Sequence, residues 1–188
     1  MSRRLRTVVI GFGKVADTLG DDPRMRRYFR EASHAEVLSS HPSFDWDAVV
    51  DPSESALKRA REKWGVARTA PDIAGLGEDY APDVAVITAP PPTRLAAINA
   101  LPSLSGLLVE KPLGHSMSEA EDFAKACAAR SLAVQVHFWR RAVQGFRELA
   151  AGGLAEKVGT VQGAFAIYGR GLFNNGSHLV DLARMLLG

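Results

Sequence analysis

A lysine that directly follows a short apolar run is the first residue of this sequence that could do chemistry. Lys111 lies between Glu110 and Pro112, after the run at 106–109. A lysine at a strand end that faces a ligand cleft is partly desolvated, so we expect its pKa to fall towards neutrality. It could then exchange a proton with a hydroxyl group while hydride leaves the same carbon. The alternative is an ordinary surface lysine.

A glycine-rich turn near the start has the spacing of a dinucleotide-binding loop. After the β-branched run at 7–10, the residues are Gly11, Phe12, Gly13, Lys14, Val15 and Ala16. Gly11 would permit a tight turn, and Gly13 would let backbone N–H groups approach a pyrophosphate. We expect a helix to open here, with its N-terminus favouring the phosphate charge. Any tight strand-to-helix turn can use glycine, so the position after a strand is what favours nucleotide binding.

Asp51 ends the second predicted strand. A carboxylate there can accept hydrogen bonds from ribose hydroxyls and repels a 2′-phosphate, which favours NAD and leaves NADP as the alternative. Asp51 lies farther from the glycine turn than the usual spacing of about 20 residues. The basic segment 20–30, predicted to be solvated and partly helical, accounts for the excess. Asp51 could also cap the helix after Pro52, and both roles could hold.

Rigid residues follow the predicted strand at 83–88. Thr88, Pro90 and Pro91 stand where that strand must end, because proline cannot extend a hydrogen-bonded ladder. Ligands bind at the carboxyl ends of the strands in open parallel sheets. We therefore predict a stiff wall beside a nicotinamide or its ribose, with plain strand termination as the alternative and a short helix from Leu95 to Leu101.

His178 is the histidine with the strongest case for acid–base chemistry near neutral pH. If a helix begins near it, Asn174 and Asp181 fall within one turn and could orient the imidazole. His137, near the end of the predicted strand 132–138, could also line the cleft. The other histidines, His34, His41 and His115, have no constellation around them, and no spacing in the sequence predicts a metal site.

Strand and helix patterns alternate along most of the chain. This order predicts an α/β fold with a doubly wound parallel sheet of the Rossmann type. After about Arg141 the pattern changes, with a strand predicted at 158–168 and a helix at 179–187. Such elements cannot bury their own apolar faces. We therefore predict a dinucleotide-binding domain at 1–140 and an incomplete α+β domain at 141–188, which would associate as a homo-oligomer.

Composition excludes several classes of protein. The 188 residues carry a net charge of only +2, which gives no argument for nucleic-acid binding. No apolar run is long enough to span a bilayer, so we predict no membrane partner. Cys127 is the single cysteine and falls on the apolar face of a predicted helix, which indicates a core thiol. Without a disulfide, a cytoplasmic location is expected.

Together these motifs resemble the Gfo/Idh/MocA oxidoreductases, named for glucose-fructose oxidoreductase and inositol dehydrogenase. The matching segments, in order, are Gly11 to Ala16, Asp51-Pro52, Thr88 to Arg94, Glu110-Lys111-Pro112, Arg140-Arg141 and Gly176 to Asp181. The resemblance implies hydride transfer between NAD(P) and a sugar, cyclitol or related polyol. It implies that Lys111 is an acid/base or substrate-orienting group and that His178 is the active-site histidine. Glu110 is assigned to the cofactor site, and Arg141, His137 and Asp181 to the substrate.

Three residues depart from the family pattern. Asn174 stands where the family usually has an aspartate, and an amide cannot accept a proton. Arg94 replaces the usual histidine after the prolines, and His137 replaces an asparagine. Family members also continue well past Gly188, so we expect this chain to be truncated.

Two other functions stay open at this point. The chain could be a dinucleotide-binding module without activity, either a sensor or a fragment, and Asn174 favours this alternative. It could also be a Rossmann enzyme of another family, although nothing resembles a catalytic cysteine motif.

Overall fold

A six-stranded parallel sheet organises the fold. The structure, a computed structural model, describes residues 3–188. The strands are β1 (Leu5–Ile10), β2 (Phe44–Val50), β3 (Arg68–Ala70), β4 (Val84–Ile87), β5 (Gly106–Val109) and β6 (Ala133–Val136). Their order in the sheet is β3-β2-β1-β4-β5-β6, and every neighbouring pair is parallel. The order reverses direction between β1 and β4, which confirms the predicted doubly wound sheet. Ligands bind at the carboxyl ends of the strands at such a reversal.

Helices cover both faces of this sheet. The α-helices are α1 (Pro23–Arg26), α2 (His34–Ser40), α3 (Glu54–Trp64), α4 (Pro91–Ala100), α5 (Met117–Ala129), α6 (Gln144–Glu148), α7 (Leu154–Val158) and α8 (Ser177–Leu187). Helices α2 and α3 pack on one face, and α4 and α5 pack on the other. The basic segment 20–30 contains only the short helix α1 and the end of a 3₁₀ turn, and its arginines are exposed, as predicted.

The strand sequences are apolar because the sheet is buried on both sides. Val8 and Ile10 point into the core beneath α4 and α5, whereas Val9 points into the core beneath α2 and α3. All three are at most 5% exposed. Burying each such side chain contributes about 1.5–3 kcal/mol. Cys127 of α5 lies in the first of these cores, where burial raises the pKa of its thiol, as expected for a core cysteine.

Local sequence explains where several helices begin and end. Ser33 and Glu36 form a reciprocal capping box at the start of α2. Gly65 ends α3 with φ +68°, a conformation that glycine adopts without steric cost. At α5, Ser116 accepts the Glu119 N–H, but the Glu119 carboxylate accepts the N–H of His115. Ser116 and Glu119 have the spacing of a capping box, but only the serine side chain caps this helix.

The chain divides into two compact units, one ending at Val136 and the other spanning His137–Gly188. The second contains α6, α7 and α8, with a kink at Gly152, where φ is +118°. The strand predicted at 158–168 is wrong: Val158 ends α7, and residues 159–171 form neither helix nor strand. An alternating pattern becomes a strand only when a neighbour satisfies its backbone groups, and none of the described strands pairs with this segment.

Candidate functional site

The glycine turn follows β1 and contacts the carboxyl end of β4. Gly11 has φ +86°, and a Cβ there would lie 2.6 Å from the backbone N of Ala89. Thr88 Oγ1 donates a hydrogen bond to the Gly11 carbonyl at 2.6 Å. By contrast, a Cβ on Gly13 would meet no atom within 4 Å, and Gly13 is exposed. The first glycine is therefore required by the protein itself, while the second leaves its backbone open to a ligand.

The helix predicted to open at the glycine turn is absent. Residues 14–17 form a turn in which the Asp17 N–H donates to Gly13 O, and a 3₁₀ helix follows at Thr18–Asp21. Asp17 at the end of this turn has a fully buried carboxylate, which accepts hydrogen bonds from Arg59 Nε (2.7 Å) and Trp64 Nε1 (2.8 Å) of α3. These contacts hold the turn against α3. A phosphate at Gly13, Lys14 or Val15 would meet backbone N–H groups without the dipole of a long helix.

Asp51 orients the glycine turn in the structure. Its Oδ2 accepts the N–H of Phe12 at 2.5 Å, and its Oδ1 accepts the N–H of Ser53 at 2.8 Å. The second contact is a turn that leads into α3, whose N-cap residue, Ser53, makes no side-chain capping hydrogen bond. Each carboxylate oxygen has a further lone pair available to a ribose hydroxyl. Asp51 therefore links the ends of β1 and β2, which meet at the same edge of the sheet.

The proline segment begins a helix earlier than the sequence suggested. Thr88 continues the ladder by donating its N–H to Ile10 O, and Pro90 is the N-cap of α4. The helix starts at Pro91, not at Leu95, because prolines in the first turn lack only N–H groups that have no helical partner there. The wall predicted from Thr88, Pro90 and Pro91 thus consists of a strand end and a rigid first helical turn.

The Glu110-Lys111-Pro112 segment follows β5 at the same edge of the sheet. The Glu110 N–H donates to Ile87 O at 2.9 Å, and the peptide bond before Pro112 is cis. The Glu110 side chain is 12% exposed, and its Oε1 accepts a hydrogen bond from His34 Nε2 at 3.0 Å. Lys111 is half-buried. The sequence-based expectation that His34 has no functional neighbours is therefore wrong, because His34 of α2 contacts Glu110 in the folded chain.

Arg94 braces this segment against the proline turn. The residue is 2% exposed, and its Nε donates to Ala89 O at 3.1 Å while Nη1 donates to Pro112 O. Burial lowers the pKa of the guanidinium, and the negative charges of Glu110 and Glu119 act in the opposite direction. From the sequence, Arg94 is noted only as a replacement for the histidine that is usual in the family. A charged residue among the apolar positions of α4 was the available signal for a structural role.

The second unit carries the remaining site candidates. His178 lies in the first turn of α8, and its ring meets Phe138 edge-on at 5.5 Å between centroids. Arg141 Nε donates to both oxygens of Asp181, at 2.8 and 3.0 Å, so these two predicted substrate residues form an ion pair. Asn174 is exposed in the turn before α8, and its backbone carbonyl accepts a hydrogen bond from Ser177 Oγ. His137 is the first residue of this unit.

A cleft of about 370 Å³ lies within this second unit. Its lining includes His178, Trp139, Arg140, Tyr168 and Asn175. Lys111 belongs to the first unit and His178 to the second, so the two candidates for proton transfer come from different units.

Comparison with known proteins identifies the class of the first unit. Residues 5–138 match the family model GFO_IDH_MocA, described as an oxidoreductase family with an NAD-binding Rossmann fold. No curated protein matches the sequence. Among residues 3–188, no helix is both long and apolar enough to cross a membrane.

Solved structures resemble the chain at low sequence identity, which supports the fold alone. A myo-inositol 2-dehydrogenase from Lactobacillus plantarum is 24% identical, with TM-score 0.66 over 85% of this chain and 43% of its own. A scyllo-inositol dehydrogenase from Lactobacillus casei, with bound NAD(H) and scyllo-inositol, is 20% identical, with TM-score 0.72 over 98% of this chain and 56% of its own. An oxidoreductase from Agrobacterium radiobacter, in complex with NAD⁺, L-tartaric acid and magnesium, has TM-score 0.72 at 19% identity over 98% of this chain and 55% of its own. The chain spans about half the length of these proteins.

Proposed function

Because the chain belongs to the Gfo/Idh/MocA oxidoreductase family with its NAD-binding Rossmann fold, we propose that it is the cofactor-binding part of an NAD-dependent dehydrogenase. The proposed substrate is a polyol, either a cyclitol or a sugar, that loses or gains hydride at a carbon bearing a hydroxyl group. Two structural relatives are named inositol dehydrogenases, which supports this substrate class.

One observation carries the proposal: three loops converge at the reversal of strand order and are tied to one another. The glycine turn after β1 is bonded to Thr88 after β4, and the Pro112 segment after β5 is bonded to Arg94 of α4. Gly11 has no room for a side chain, whereas Gly13 faces open space. These features fit a dinucleotide whose pyrophosphate lies on the backbone of 13–15 and whose ribose lies near Asp51.

The residues of the chain have distinct roles in this proposal. The N–H groups of Gly13 to Val15 bind phosphate, Asp51 holds the Phe12 N–H and receives the ribose hydroxyls, and Thr88, Pro90, Pro91 and Glu110 shape the cleft. NAD, when bound, supplies the hydride acceptor. Lys111 takes the hydroxyl proton or orients that hydroxyl, and Arg94 holds the segment that carries it.

The second unit carries the remaining candidates of the same proposal. His178 is a second candidate for proton transfer, Asn174 orients His178, and His137 contacts the substrate. The Arg141–Asp181 ion pair presents charged groups that can hydrogen-bond a polyol. NAD is preferred to NADP because Asp51 would repel a 2′-phosphate.

The direct test is a turnover screen with sugars and cyclitols, followed at the absorbance of NADH. We expect one or more substrates to be oxidised, and we expect Lys111→Ala to reduce kcat by about 10²–10⁴-fold, the usual size of an acid/base contribution. The matched control is Lys125→Ala, which removes an exposed lysine of α5 paired only at the surface. Turnover that survives Lys111→Ala at the wild-type rate would reject the assignment.

A second candidate function is dinucleotide binding without catalysis. It is favoured by Asn174, an exposed amide at the position where the resemblance implies an aspartate. An amide neither accepts a proton nor stabilises a charged imidazole strongly. Saturable NADH binding together with inactivity throughout the substrate screen would favour this function, and activity gained by Asn174→Asp would favour an impaired enzyme instead.

Self-association is proposed on separate grounds. Phe165, Ile167 and Phe173 of the second unit are 90, 84 and 71% exposed. Exposed large apolar side chains in one segment are typical of surfaces that bind other proteins. We propose a homo-oligomer, and a monomeric mass over a wide range of concentration in light scattering would reject it.

A further inference from the structure

The buried pair between His34 and Glu110 connects helix α2, which contacts the glycine turn, with the segment after β5. His34 is 8% exposed and lies in the first turn of α2. Its Nε2 donates to Glu110 Oε1 at 3.0 Å, across 76 positions of sequence. The glutamate side chain is 12% exposed, so water competes weakly for this contact. Hydrogen bonds to a charged group in such surroundings are among the stronger ones in proteins.

The backbone of α2 also holds the glycine turn. The N–H of His34 donates to Val15 O at 3.4 Å, and the N–H of Ala35 donates to Ala16 O at 2.8 Å. One residue therefore contacts the turn proposed to bind phosphate through its backbone and the Glu110 segment through its side chain. The positions of the turn, of Glu110 and of the adjacent Lys111 are therefore linked through His34.

The start of α2 is itself firmly fixed. Glu36 Oε2 accepts the N–H groups of Ala32 (2.7 Å) and Ser33 (3.1 Å), and the carboxylate pairs with Arg26. Burial alone would raise the pKa of Glu36, but these hydrogen bonds and the arginine charge lower it overall. His34 thus projects from a rigid helix end. A rigid support is what a residue needs in order to hold another side chain in place.

We propose that His34 is a positioning residue that holds Glu110 and Lys111 in register with the glycine turn. This inference deepens the proposed dinucleotide site and rests on it. His34 does not touch the reacting atoms in this account. It acts through Glu110, and its loss lets the segment after β5 move relative to the turn after β1.

The test uses the complete chain with lysine labelled at ¹³Cε, and the Lys111 signal is assigned by its loss in Lys111→Arg. We expect His34→Ala to shift the Lys111 signal and to weaken NADH binding roughly 3- to 30-fold, the range found for residues that couple two sites. His34→Gln retains an amide donor near the position of Nε2, so we expect it to restore most of both effects. His115→Gln, a change at an exposed histidine beside α5, is the control and should alter neither.

Several outcomes would overturn the inference. An unshifted Lys111 signal in folded His34→Ala would do so, and so would a glutamine variant that behaves like the alanine variant. If His34→Ala does not fold, NADH is titrated into the wild-type chain instead. The proposal predicts that the His34 imidazole signal and the Lys111 signal shift together, and a shift of only one contradicts it. If the wild-type chain binds no NADH, the proposed function fails, while the Lys111 signal in His34→Gln and His34→Ala still tests the positioning role.

Discussion

The two glycines of the turn after β1 should respond in opposite ways to the same substitution. In Gly11→Ala, the new Cβ lies 2.6 Å from Ala89 N and 2.9 Å from Ala89 Cα, at φ +86°. A left-handed conformation costs an alanine roughly 1–2 kcal/mol. Forcing a methyl group against fixed backbone costs about 1–3 kcal/mol more. We therefore expect a loss of about 2–5 kcal/mol in the free energy of unfolding, which is the sum of the two costs, because the contacting atoms are backbone atoms of Ala89.

Gly13→Ala is the matched control for stability. Its Cβ meets nothing within 4 Å, and its φ is not in the left-handed region. A glycine replaced by alanine in a compatible conformation stabilises a protein by about 0.4–1 kcal/mol, because the unfolded chain loses freedom. The same methyl group would occupy the space proposed for the pyrophosphate. Gly13→Ala should therefore keep or slightly raise stability while losing NADH affinity.

Thermal unfolding followed by circular dichroism measures the stability part. For a chain of this size, 1 kcal/mol corresponds to roughly 2–4 °C in Tm, so Gly11→Ala should unfold about 4–20 °C below the wild type. Gly13→Ala should unfold at or slightly above the wild-type temperature. Equal destabilisation by both changes, or a wild-type Tm for Gly11→Ala, would refute the assignment of the two roles.

Three further predictions concern buried charges and hydrogen bonds. Replacing the buried guanidinium in Arg94→Met removes the donors to Ala89 O and Pro112 O, and urea unfolding should show a loss of about 1–3 kcal/mol; an unchanged midpoint would contradict the bracing role. Burial first, and then the hydrogen bond to Asp47, raises the pKa of Tyr80, so its stabilising contribution is present below the unfolded pKa of about 10 and is lost as the pH rises above it. Tyr80→Phe should flatten that alkaline loss, and an equally steep loss in the variant would argue against this cause. The pKa of Glu36 is lowered, so the pH dependence runs the other way. Its stabilising contribution is present above the unfolded pKa of about 4.5 and is lost as the pH falls through the lower folded value. Glu36→Gln should therefore reduce the acid sensitivity of stability between those values.

The sheet could be predicted from the sequence because its signal is local. Apolar runs such as 7–10 and 84–87 are buried on both faces, and glycine or proline follows each of them closely. Alternation of such runs with helical patterns leaves few topologies, since crossovers are right-handed. The chemistry-bearing residues at the ends of β1, β2, β4 and β5 then fall at one edge of the sheet automatically.

The parts that could not be predicted depend on contacts between distant residues. Asp17, in the turn after Gly13, is bound by Arg59, which lies 42 positions away. His34 contacts Glu110 across 76 positions of sequence. Periodicity carries no information about either contact.

The segment 158–168 also could not be predicted from local sequence alone. Its alternating pattern satisfies a local rule for strands, but a strand also needs a neighbouring backbone. Sequence patterns describe which face of an element is apolar and do not say whether a partner is present.

The central claim is that the glycine turn and its neighbouring strand ends bind NAD, and direct titration tests it best. NADH is added to the folded 188-residue chain, and energy transfer from tryptophan to the nicotinamide is followed, with NADPH titrated in parallel. We predict saturable NADH binding that is weakened by Gly13→Ala and is tighter than NADPH binding. A folded chain that shows no saturable binding of either dinucleotide would contradict the account.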